Sequence, residues 1–184
     1  MGRFIVGFWT AAVLATAGAW GAANPPHAPY AGQESREIKA LDPAFVEGLE
    51  AGAGLGFAKS AELNGYPGPA HLIELADQIP LDADQLSAIV GIRDAMRSEA
   101  IVAGRALLQS ERALEGAFRQ GGVSAESLDV LTSNAGAARA AVRAAHLRAH
   151  ISATAILSAR QIKRYQVLRG YRSHSGAGDH RHKH

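Results

Sequence analysis

The sequence contains no cysteine. That excludes a disulfide scaffold, thiol catalysis, iron–sulfur clusters and cysteine-ligated zinc, so any metal site must draw on His, Asp, Glu or Met. Aromatic residues are scarce, at 6% of 184 residues, and no segment has the two-residue alternation of a half-buried strand. Few aromatics with abundant Ala and Gly suit close-packed helices better than a β-sandwich. Gly-x-Ser-x-Gly, His-Glu-x-x-His and paired catalytic carboxylates are all missing, and without them nothing supports an enzyme. What is present is 47% hydrophobic residues, enough for one packed domain with tails.

A net charge of only +2 conceals an uneven distribution. Residues 24–130 carry 16 acidic and 8 basic side chains, whereas residues 131–184 carry 1 acidic and 10 basic. Halves of opposite sign attract one another within a folded hairpin or across a dimer. The first 23 residues read as a secretory signal peptide. Arg3 gives a positive start, residues 4–20 are 17 positions without charge, and small residues cluster before Asn24-Pro25-Pro26. An uncleaved anchor is the less favoured reading, because 17 residues is at the short limit for a span. The expectation is export, to the periplasm, which argues against a nucleic-acid partner; no reading module is present either.

Residues 24–68 read as a linker and a short helical extension. Two helical pieces are broken at Gly52-Ala53-Gly54-Leu55-Gly56, and Leu55, Phe57 and Tyr66 are candidates to dock on the bundle or on a partner. The Gly-rich run is a helix break rather than a phosphate loop, since it lacks Gly before Lys59 and no strand pattern precedes it. Pro69 opens a helix to about Gln78. In Leu81-Asp82-Ala83-Asp84-Gln85-Leu86, Asp82 is the N-cap, Gln85 closes a capping box, and Leu81 and Leu86 form a hydrophobic staple. A long helix follows to about Gln120, with Leu86, Ile89, Val90, Met96, Ala100, Ala103, Leu107, Leu114 and Phe118 at helical spacing. Gly121-Gly122 ends it and Ser124 caps a second long helix to about Ile156. Leu157-Ser158-Ala159-Arg160-Gln161-Ile162 repeats the capped, stapled turn before a last helix to about Arg169. Residues 172–184 form a basic, His-rich tail with the composition of a disordered segment. The expected fold is all-α, a hairpin-type bundle with two long antiparallel helices and shorter flanking ones.

The two capped turns lie 76 residues apart, so that Leu81 maps onto Leu157, Gln85 onto Gln161 and Glu74 onto His150. With this pair of turns, residues 69–171 resemble the Spy/CpxP family of periplasmic stress chaperones. They resemble equally its metal-responsive relatives, the CnrX- and ZraP-type heavy-metal resistance proteins. The family mark is a twice-used Leu-Thr-x-x-Gln; here both copies replace Thr with another N-capping residue, Asp82 or Ser158. The resemblance implies a four-helix hairpin protomer that pairs into a cradle-like homodimer. It implies ATP-independent protection of unfolded periplasmic proteins, or metal sensing on behalf of a membrane signalling protein.

His146 and His150 are four apart and share a helix face, a spacing that can chelate one divalent ion. His71 and Glu74 precede the first capped turn as that pair precedes the second. Folding the hairpin is expected to draw His71, Glu74, His146 and His150 together, a set suited to Zn, Ni, Co or Cu(II); no cofactor is required. Met96 and Glu99 are further candidates from the long helix. The competing reading makes His146 and His150 part-buried helix residues hydrogen-bonded to their neighbours. The metal-sensing relatives also carry His-x-x-x-His ahead of such a turn; the second half here matches, and the first departs because position 75 is Leu. His174, His180, His182 and His184 would make the tail a low-affinity metal trap, or else simply a solvated basic end. Arg139, Arg143, Arg148, Arg160, Lys163, Arg164, Arg169 and Arg172 are read either as a basic contact surface or as a face balanced by the acidic half.

Overall fold

The structure is a computed structural model that describes residues 28–172. The expected signal peptide and the tail histidines His174, His180, His182 and His184 lie outside the described residues. The chain divides between Glu34 and Ser35 into two units. Of the first, residues 28–34 are described as turns, with the Gly32 N–H donating to Glu34 at 2.7 Å.

The second unit is helical: α1 Pro43–Ala51, α2 Lys59–Glu62, α3 Pro69–Glu74, α4 Ala83–Gln120, α5 Ala125–Ala155 and α6 Ala159–Leu168, with no strand among the described residues. Local chemistry sets these boundaries. Asp42 caps α1 through its side chain, and Gly52 ends it at φ +68, a left-handed cap that favours glycine. Asp82, Ser124 and Ser158 open α4, α5 and α6, each in a complete capping box. Helix α3 stops at Glu74, short of the expected Gln78. Turns carry the chain on to Pro80, which disfavours helical backbone at Ile79.

Helices α4 and α5 pack along each other and run antiparallel. Gln85 meets Ile156 at one end, and Glu99 pairs with Arg148 further along. Ala113 and Leu131 face each other towards the turn. At 1.5 Å per residue, α4 is about 57 Å long. Residues 35–80 lie against this hairpin. Helix α1 packs on α4, with the Ala51 carbonyl accepting from Arg97 and Lys39 paired with Glu115.

Two apolar clusters hold the unit together. The first joins Ile38, Leu41, Leu49 and Phe57 to Ala103, Leu107, Leu108 and Val142. The second joins Leu72 and Ile79 to Ile89, Ala153 and Tyr165. Along α5 they are separated by about three turns, from Val142 to Ala153, which carry Ala145, His146, Ala149 and His150, all buried. A polar layer therefore sits between two apolar ones. Of the expected α4 stripe, Ile89, Ala100, Ala103 and Leu107 are buried, but Phe118 is 60% exposed. In the last turn of α4 it is Arg119, not Phe118, that reaches the chain before α1, donating to the Glu37 carbonyl at 3.2 Å.

Candidate functional site

The base of the hairpin is built from the two capped turns. Each glutamine first closes its own box: the Asp82 N–H donates to Gln85 Oε1 at 3.2 Å, and the Ser158 N–H to Gln161 Oε1 at 2.8 Å. Each then crosses to the other turn. Gln85 Nε2 donates to the Ile156 carbonyl at 2.7 Å, and Gln161 Nε2 donates to the Pro80 carbonyl at 2.7 Å. Pro80 and Ile156 stand five residues before their own glutamines, so the contacts repeat the 76-residue echo. The two carboxamides also bond each other, at 3.2 and 2.8 Å. Both N–H groups and both lone pairs of each amide are thereby used. Leu81 and Leu157 pack on the second cluster beside this clasp.

Above it lies the polar layer. Glu62, at the end of α2, accepts from the Tyr165 hydroxyl at 2.5 Å and from Arg169 Nε at 3.4 Å. Tyr165 Oη also accepts from the Gly68 N–H at 3.4 Å. His150 Nδ1 donates to the Tyr66 carbonyl at 2.8 Å and stands 3.7 Å from Glu62 Oε2. That second carboxylate oxygen is buried without a hydrogen-bond partner among the described residues. Burial raises the Tyr165 hydroxyl well above its ordinary value, and its bond to the Glu62 carboxylate adds to the shift, so Tyr165 remains a donor across the working pH range.

His146 is 2% exposed and stacks on Phe57, with ring centroids 6.2 Å apart and planes 3° from parallel. Burial pushes its imidazole below the ordinary range, charge on His150 pushes the same way, and a hydrogen bond to the Ala53 backbone opposes both. His146 Nε2 has no hydrogen-bond partner among the described residues. His71 Nδ1 lies 2.8 Å from Glu74 Oε2, on the half-exposed side of α3.

The four expected ligands are thus distributed. His71 and Glu74 pair with each other, His150 engages the Tyr66 carbonyl, and His146 packs against an aromatic ring. Among the described residues, no group of three or more His, Asp or Glu side chains is placed to hold a metal ion. The structure does bring His71, His150 and Glu62 to the lining of one cavity of about 340 Å³. With both Nδ1 atoms engaged, the Nε2 of each histidine and Glu62 Oε2 are the atoms left for a ligand. Glu99 pairs with Arg148 and Met96 is half-buried in α4.

Sequence reasoning missed Glu62 and Tyr165. Glu62 belongs to a four-residue helix with little pattern, and its partners lie 103 and 107 residues away. Tyr165 did carry a signal: it is the one aromatic residue of α6 and lies on the same face as Gln161.

The fold and its base define a helical hairpin whose two capped turns interlock, with a buried histidine–carboxylate layer above the lock. No protein-family model, curated protein or solved structure matches the chain. Among the described residues, no helix is long and apolar enough to cross a membrane.

Proposed function

We propose that this protein is an exported, ATP-independent chaperone of the Spy/CpxP type, working in the periplasm as a homodimer and not as an enzyme. The observation that carries the reading is the reciprocal Gln85–Gln161 clasp, which makes the paired Leu-x-x-x-Gln turns one structural device at the base of a long hairpin. The same hairpin leaves Val102, Phe118, Val130 and Ile151 more than half exposed along its two long helices. Such side chains offer scattered apolar contacts to an unfolded segment, and a small area favours weak, fast-exchanging binding. The test follows aggregation of a chemically unfolded client at equimolar protein without ATP. Suppression is expected, and it should weaken in a Phe118→Ser, Val130→Ser double variant. Unchanged aggregation with the wild-type protein would sink the proposal. A monomeric mass by light scattering would remove the dimer.

A second reading, a metal-responsive sensor acting on a membrane signalling protein, is favoured by the cavity that His71, His150 and Glu62 share. As they stand they are not placed to hold an ion together, so Zn, Ni, Co or Cu(II) would have to draw the two imidazoles and the carboxylate in on binding. Calorimetric titration of each ion into a chain ending at residue 172 separates this site from the tail histidines. Saturable binding of one ion per chain, lost in His150→Ala, supports it; heat that vanishes with the tail removes it.

A further inference from the structure

On α5, Arg139 and Arg143 lie one turn apart and line a groove of about 390 Å³, closed on its other side by Leu55, Gly56 and Phe57. The Arg139 guanidinium lies 5.6 Å from the centroid of Phe45 and 5.5 Å from that of Phe57. Stacking on two rings fixes the guanidinium plane at little further cost in rotamer freedom. Neither arginine has a carboxylate partner among the described residues, although the same helix pairs Arg148 with Glu99. Residues 131–172 contain eight basic side chains and no acidic one, and no acidic residue lines the groove. The opposite wall is held under strain: Leu55 is a non-glycine residue at φ +45, and its side chain packs against Gly48 of α1. Backbone in that region persists only where surrounding contacts impose it.

The geometry points to a carboxylate-binding groove, in which the Arg139 and Arg143 guanidinium groups take an acidic side chain of an extended polypeptide while Phe57 and Leu55 receive a neighbouring apolar one. An unpaired guanidinium is shaped for two parallel bonds to a carboxylate or phosphate oxyanion. The groove is open-sided with an apolar wall, which suits a chain passing through better than a small ion. The site stands on its own geometry; its assignment to an unfolded client rests on the chaperone reading.

The test titrates a fluorescein-labelled peptide of alternating Glu and Leu into the full chain and follows anisotropy. The Gln-for-Glu peptide, inorganic phosphate and phosphatidylglycerol vesicles serve as separate arms. The Glu peptide should bind, the Gln peptide should bind about tenfold more weakly, and Arg139→Gln with Arg143→Gln should cost the Glu peptide about tenfold or more. Both arginines are exposed, and unchanged thermal unfolding shows that the double variant is folded. Equal affinity for the two peptides, or binding indifferent to the double variant, overturns the site. Tighter binding to phosphate or to vesicles than to the peptide overturns the peptide assignment. Client aggregation is measured on the same variants. Suppression that persists while peptide binding is absent removes the groove and leaves the chaperone reading. Arginine-dependent peptide binding without suppression keeps the groove and removes that reading.

Discussion

The polar layer rests on single side chains whose protonation is tied to folding. His146 has its imidazole pushed below its ordinary value of 6.5, chiefly by burial. Below that value the unfolded chain binds a proton that the folded chain refuses, so stability rises with pH and is lost on acidification. The urea midpoint should therefore fall between pH 7.5 and pH 5.5. His146→Asn, which retains a donor for the Ala53 backbone, should flatten that dependence; an equal slope in the variant would locate the acid sensitivity elsewhere. Glycines show the same dependence on position. A Cβ on Gly104 would lie 2.6 Å from the Leu49 carbonyl oxygen, where α1 crosses α4, whereas one on Gly91 would meet nothing within 4 Å. Gly104→Ala should cost about 1–3 kcal/mol by overpacking, and Gly91→Ala should stabilise by about 0.5–1 kcal/mol through helix propensity. Denaturation midpoints check both, and a harmless Gly104→Ala would mean that α1 does not sit against α4.

Between elements, the decisive device is the glutamine clasp. A capping box alone joins a helix to its own leading turn. Here the Gln85 and Gln161 carboxamides also join α4 to the end of α5, and α6 to the turn before α4. Replacing one glutamine by alanine strands a carbonyl and two bonds of the remaining amide, at a cost of about 2–3 kcal/mol. Once the first is lost, the second has less left to lose. The double-mutant cycle should therefore show a coupling of about 1 kcal/mol or more between Gln85→Ala and Gln161→Ala. Additive losses would show that the two caps act separately. The boxes themselves were legible in the sequence, because an N-cap and its partner stand three residues apart. So were the long helices, whose apolar residues repeat locally. The crossing was not legible, since a 76-residue echo names equivalent residues without saying that they touch. Phe57 was expected to dock on the bundle or on a partner, and it packs in the first cluster, but the contribution of Ile38 and Leu41 was hidden for a related reason. They lie in turns without periodicity, and only packing against Leu107 and Val142 marks them as core. The candidate metal residues were legible as types and spacings, but the sequence did not contain Glu62's place beside His150.

At the scale of the molecule, the uneven charge has a partial structural answer. Residues 28–172 carry 16 acidic and 16 basic side chains, and Glu62–Arg169 and Glu99–Arg148 join the acidic half to the basic one. Arg139 and Arg143 take no part in that balance, which is why they remain available. Burial is uneven too. The clasp, the polar layer and both apolar clusters fall within residues 38–108 and 135–169. Towards the turn, Leu114, Leu128 and Leu131 are only half-buried, Phe118 and Val130 are exposed, and Gly121 and Gly122 both take positive φ. Local opening follows the density of buried contacts, so a long hairpin held at its base should fray from its tip. Amides of residues 85–108 and 142–165 should exchange at least about a hundredfold more slowly than those of residues 114–131. Limited proteolysis should cut first near Arg119. A client-binding surface gains from this arrangement, because the exposed apolar residues Phe118 and Val130 sit on the part that can adjust without disturbing the clasp. Uniform protection along α4 and α5 would remove that advantage and with it the division into a fixed base and an adaptable tip.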